Sequence, residues 1–163
     1  MLIILGADVF AGQTIGLKQS YTLRYMTILS KTLACLRVIS DDLVPSEISK
    51  LLGCEPTLQM TKGEPYFWKR DGVPRIARSG MWRLEAKDQI PGDLDLQVDC
   101  LLNLLSDDLK VWKSLCERYS VDMSFALFME SGMEGISLSA KSMLALGMRG
   151  IEIDFDMYGP NSP

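Results

Sequence analysis

The sequence predicts a single α+β domain: one four-stranded, mainly antiparallel sheet with helices on one face, ferredoxin-like, carrying a two-helix insertion between the second and third strands. Three observations support this. Four segments alternate apolar and polar residues with the period of two that sends successive side chains to opposite faces of a sheet. The order strand, helix, strand occurs twice, once around Leu51-Leu52-Gly53 and again around Ala145-Leu146-Gly147. Between the two copies, apolar residues fall at helical spacing over residues 94–119.

The first predicted strand covers residues 33–39. Ala34, Leu36 and Val38 make one purely apolar face, and Arg37 stands on the other. Ser40, Asp41 and Asp42 end it. Pro45 then suits a first helical turn, where its missing N–H is no loss. Glu47 lies near the positive end of the helix dipole, Ile48, Leu51 and Leu52 form an apolar stripe, and Gly53 closes the helix in the left-handed conformation. A helix this short needs tertiary packing to persist.

Residues 54–80 read as a long connection rich in proline and glycine, followed by a strand over 81–85 with Trp82 and Leu84 inward and Arg83 outward. Leu94, Val98, Leu101, Leu102 and Leu105 predict a helix. Ser106, Asp107 and Asp108 supply a cap and an acidic first turn for a second, with Leu109, Trp112, Cys116 and Tyr119 on one side. The third strand alternates Val121, Met123, Phe125, Leu127 and Met129 with polar or smaller neighbours. Ser139 caps a helix through Leu146 that Gly147 stops. In the final strand Ile151, Ile153, Phe155 and Met157 are expected to face in, with Glu152, Asp154 and Asp156 facing out.

The run LRVISDDLVPSEISKLLGCEPT, the later Lys62-Gly63 and the strand RSGMWRLE resemble the bacterial family of domain of unknown function 4279, over about residues 32–158. The motifs are structural, a strand–proline–helix–glycine corner and a Ser-Gly-x-Trp strand, so the resemblance implies a fold and no reaction. Some family members are suspected immunity or accessory proteins of toxin systems. One departure is Val44, which occupies the position where a side-chain oxygen would ordinarily cap the helix.

The domain is expected over residues 32–158, after an N-terminal extension of residues 1–31 and before a tail of residues 159–163. The opening MLIILGADVFAG is too short to span a bilayer, contains Asp8 and lacks the basic start of a secretory signal, so export is not expected. Met26 offers an alternative start just ahead of the domain.

The chain contains no histidine, which removes Ser-His-Asp and Cys-His catalysis and histidine-ligated zinc or haem. P-loop, G-x-G-x-x-G and nucleophile-elbow motifs are absent from the sequence as well. The four cysteines, 35, 54, 100 and 116, show no C-x-x-C spacing. Cys35, Cys100 and Cys116 sit in apolar periodic segments and are expected to be reduced, buried and inert, in keeping with a cytoplasmic protein. No catalytic residue, metal ligand or cofactor is assigned.

Charge is segregated along the chain. Residues 61–87 hold seven Lys or Arg against three Asp or Glu, whereas residues 88–109 hold six Asp and no Lys or Arg. Lys62, Tyr66, Trp68, Lys69, Arg70, Arg75 and Arg78 interleave bases with aromatics, a pattern that stacks on nucleobases or anchors a protein interface. The plainer alternative is that the aromatics pin the loop to the sheet. The formal net charge of -4 disfavours nucleic acid as a general partner. On the open face of the predicted sheet, Arg37 and Arg83 would meet Asp122, Glu152, Asp154 and Asp156. This group could pair as ions, or serve a carboxylate-dependent, metal-binding hydrolase. The missing catalytic vocabulary favours a non-enzymatic domain that binds a protein partner, with no membrane association.

Overall fold

The computed structural model describes residues 29–67, 72–131 and 134–160. Strand β1 (Lys31–Ser40) leads through helix α1 (Pro45–Leu52) to β2 (Leu58–Met60), a hairpin of β3 (Pro65–Phe67) and β4 (Pro74–Ile76), and then β5 (Gly80–Glu85). Helices α2 (Leu94–Leu102) and α3 (Leu109–Arg118) precede β6 (Ser120–Phe128), α4 (Ala140–Arg149) and β7 (Glu152–Tyr158).

The expected single four-stranded, mainly antiparallel, ferredoxin-like sheet is not what forms. The main sheet is five-stranded and mixed, in the order β2-β5-β1-β6-β7, and β3 and β4 make a separate two-stranded sheet. β1 is antiparallel to both β5 and β6, β2 is antiparallel to β5, and β7 runs parallel to β6. Two physical causes account for the difference. β2 has three residues, too few to show a period, so the strand vanishes into an apparent loop. Helix α4 carries the chain back along β6, so the strand after it must pair in parallel.

Each half of the sheet therefore contains a crossover. β1, α1 and β2 form one whose parallel strands are separated by β5; β6, α4 and β7 form another whose parallel strands are neighbours. The helices cover one face. From the sheet, Ala34, Leu36, Val38, Trp82, Leu84, Met123 and Phe125 join a core with Ile48, Leu52, Val98, Leu101, Trp112, Leu115 and Leu146 from the helices. Alternation along each strand sends the remaining side chains to the opposite, open face.

Local chemistry explains most element ends. Val44 caps α1 with no side-chain hydrogen bond, and Pro45 follows it. Asp93, Asp108 and Ser139 cap α2, α3 and α4 by accepting from Leu96, Lys110 and Ser142 backbone N–H groups. Gly53 and Gly150 end α1 and α4 in the left-handed region, at φ 75° and 71°. Gly147, expected to stop α4, lies inside it. Four residues of α1 are buried, including Ser49, whose hydroxyl accepts from Trp82 Nε1 at 3.1 Å.

Candidate functional site

The open face is organised by Arg37. Pairing register places Arg83, Arg37, Asp122 and Glu152 in one row across β5, β1, β6 and β7. The next row holds Glu85, Cys35, Ser124 and Asp154. Arg37 Nε donates to Asp122 at 2.7 Å and Nη2 donates to Asp154 at 3.0 Å. Burial works against the Arg37 charge, but these two carboxylates outweigh it and hold the pKa above its ordinary value. Arg83 turns to Glu85 at 3.1 Å. Of the six residues expected to gather here, Arg37, Asp122 and Asp154 form a cluster. Glu152 and Asp156 share the face, at the steps of about 7 Å that a strand imposes.

Carboxylates strung along a strand do not converge. Among the described residues, no group of three or more Asp, Glu or Cys is placed to hold a metal ion. What this face offers is a paired cationic centre with an acidic margin on β7. Cys35 lies buried in its middle; burial pushes the thiol pKa up, and the nearby Arg83 and Arg37 only partly offset that. Cys116 is raised for the same reason, with Glu152 adding to it. Contrary to the expectation of burial, Cys100 is exposed and Cys116 half-buried. The leucine spacing of α2 turns Val98, Leu101 and Leu102 inward, which puts position 100 on the outer side.

Of the basic and aromatic residues, Tyr66 and Arg75 stand opposite each other across the β3–β4 hairpin. Lys62 pairs with Asp41, Tyr66 is half-buried, and Arg75 and Arg78 are exposed. Trp68, Lys69 and Arg70 lie outside the described residues. Phe67 and Ile76 are exposed on the β3–β4 hairpin. Beside the hairpin an open cleft of about 350 Å³ runs to the start of α1, with Val44, Met60 and Tyr66 in its wall.

Within the five-stranded sheet the least covered strand is β7. Every one of its seven residues is exposed, although Ile153, Phe155 and Met157 belong to the helix-side face. They remain 38%, 37% and 67% accessible, where Met123, Phe125 and Leu127 beside them on β6 are fully buried. Phe155 stacks on Phe125 at 5.6 Å between ring centres, and its outer edge is bare. The crossover helix adds Met143, Leu144 and Met148, all more than half exposed. Alternation puts Ile153, Phe155 and Met157 on the inward face, where the structure has them, and says nothing of the cover above them. A signal for exposure was available in α4, where Met143, Leu144, Leu146 and Met148 are too many apolar residues for one buried stripe. No helix of the described residues is long and apolar enough to cross a membrane.

Comparison with curated proteins and with solved structures finds no match. A family model does match, described as a domain of unknown function (DUF4279), and it covers residues 30–160, nearly the whole described chain. The match extends from the entry into β1 to the end of β7, so both crossovers lie within it. The chain belongs to the DUF4279 family.

Proposed function

We propose that the chain is a cytoplasmic, non-enzymatic protein-interaction domain, acting as an immunity or accessory protein of a bacterial toxin system. The observation that carries this reading is β7, a seven-residue strand exposed on both faces with three apolar side chains on one of them. Burying such a surface against a partner yields about 25 cal/mol for each Å² of apolar area, and monomeric proteins seldom leave a contiguous patch of this kind uncovered. The sequence supports the same reading through its missing catalytic motifs, and the open face supports it by engaging its best-placed carboxylates in ion pairs with Arg37.

The test uses the products of the genes adjacent to this one. Each is purified and titrated against the full chain by calorimetry, and each is expressed in bacteria with and without the chain. One of them should form a stoichiometric complex, and its toxicity to the host should be relieved. Flat titrations with every neighbour, together with no protection from any of them, would remove the reading.

A further inference from the structure

We infer that β7 is an acceptor edge for an extended segment of a partner protein, one that alternates basic and apolar residues and adds to the sheet as a sixth strand. This rests on the interaction reading above and specifies its surface and its ligand.

The backbone comes first. Tyr158 C=O accepts from Met129 N–H at 2.9 Å, so the polar backbone groups of Tyr158 point toward β6. In a strand these directions alternate, which turns the N–H and C=O groups of Ile153, Phe155 and Met157 outward. Among the described residues no strand lies beyond β7. The seven registered pairs with β6 run without a bulge, and the strand contains no proline or glycine. Proteins ordinarily blunt free edges with such interruptions.

Side chains then select what can dock. A strand laid on this edge would place alternate residues beside Glu152, Asp154 and Asp156 on the open face, and the intervening ones beside Ile153, Phe155 and Met157. Asp154 is engaged by Arg37, whereas Glu152 and Asp156 have no ion pair among the described residues. An incoming lysine or arginine therefore gains an opposite charge, and an incoming carboxylate meets repulsion. A second copy of this chain fits poorly for that reason. Two β7 strands related by a two-fold axis would run antiparallel and set carboxylates against carboxylates across the new pairing. Strand addition of this type draws affinity from main-chain hydrogen bonds and specificity from alternate side chains.

The experiment titrates the full chain with a short synthetic peptide alternating lysine and valine, a counterpart alternating glutamate and valine, and a lysine–valine peptide of scrambled order. The alternating basic peptide should bind at least about tenfold more tightly than either control, and weaken as salt is raised. Glu152→Lys with Asp156→Lys should reverse the preference toward the glutamate peptide. Two versions of the basic peptide, N-methylated on every lysine or on every valine, separate strand pairing from simple charge attraction. In an antiparallel pairing only the valine N–H groups face β7, so the lysine-methylated peptide should bind and the valine-methylated one should not. Met157→Pro removes one outward N–H at the most exposed position and should weaken binding with an unchanged melting temperature. Equal binding by both N-methylated peptides would overturn the inference. So would slow hydrogen exchange at Ile153, Phe155 and Met157 in the free monomer, which would show that the chain already covers its own edge. A dimer that Met157→Pro dissociates would assign the edge to a second copy and overturn it too. If a neighbouring gene product binds with an affinity that Met157→Pro leaves unaltered, the interaction reading stands and this edge assignment falls.

Discussion

The two crossovers of the sheet end in the same way, with a glycine near φ 70° at the close of a helix, yet they are held down by different forces. In the first, Leu43, Ile48 and Leu52 are almost wholly buried, and Trp82 of β5 lies under α1 with its Nε1 on Ser49. Each such apolar side chain contributes about 1.5–3 kcal/mol when removed from water. In the second, α4 buries only Ser142 and Leu146. Polar links tie it to neighbouring helical segments: Asp95 accepts from Ser139 N–H and from Ser142 Oγ, Lys141 reaches Asp99 at 2.7 Å, and Arg149 reaches Asp107 at 2.9 Å. Inserting β5 between β1 and β2 gives α1 a broad floor, whereas α4 spans two adjacent strands, the outer of which is a bare edge. The first crossover is built for stability, and the second leaves surface for contact.

The largest expected effect is a contrast between two aromatic truncations. Trp82→Ala should lower the unfolding free energy by about 3–5 kcal/mol, as deletion of a fully buried aromatic does. Phe155→Ala should cost only about 1 kcal/mol, because the ring keeps one side on Phe125 and the other in solvent. Denaturant titration of both variants checks the pair, and equal losses would break the comparison. A smaller contrast follows between a glycine of β5, packed against the first crossover, and the glycine that closes its helix. A Cβ on Gly80 would stand 2.8 Å from Ser40 O and 3.0 Å from Leu43, so Gly80→Ala should cost about 1–3 kcal/mol through overpacking. A Cβ on Gly53 meets nothing within 4 Å, and Gly53→Ala should lose about 1 kcal/mol from left-handed backbone alone.

What the sequence makes legible follows the same division. Residues 33–53 show their strand, corner and helix directly, because the apolar periods there are long and the proline and glycine sit where a helix start and stop require them. β2, β3 and β4 have three residues each and leave no period, which is why they were hidden in an apparent loop. Strand order was illegible for another reason: the period-two pattern reports which face a side chain takes and says nothing about its neighbour's direction. The open-face group was readable as a set through alternation of Arg37, Arg83, Asp122 and Asp154. Its internal choice, Arg37 to Asp122 and Asp154 but Arg83 to Glu85, depends on cross-strand register. Exposure of Phe155 is absent from its own strand's pattern, since an edge strand and a covered strand can share one pattern, and its sequence signal lies in the apolar surplus of α4.

Acid should loosen the second crossover before the first. Burial alone would raise the Asp95 pKa, but hydrogen bonds from Ser142 and Ser139 outweigh it and hold the carboxyl below its ordinary value. A carboxyl depressed in the folded state adds stability that is fully present above its unfolded pKa and is lost as pH falls through the folded one. The loss therefore lies below about pH 4. Amide protection in α4, taken relative to the intrinsic exchange rate, should fall there more than in α1. Beside α1 the carboxyl with a lowered pKa, Asp42, is exposed in the corner before the helix and bonds the Ser40 hydroxyl, not a helical amide. Asp95→Asn should make α4 exchange faster at neutral pH and remove the added acid response.

The smallest effect is the most specific to the contact reading. Leu144 is exposed on α4, so Leu144→Ser takes away apolar surface that already faces water and should change stability by no more than about 0.5 kcal/mol. The corresponding change at Leu52, in the helix of the first crossover, empties a fully buried site and should cost about 2–5 kcal/mol. Both residues are leucines on a crossover helix, so propensity does not separate them; only the cover above each does. A Leu144→Ser variant that melted well below the parent protein would mean that α4 is packed against something in the free chain. The second crossover would then be as closed as the first, and the surface assigned to a partner would already be in use.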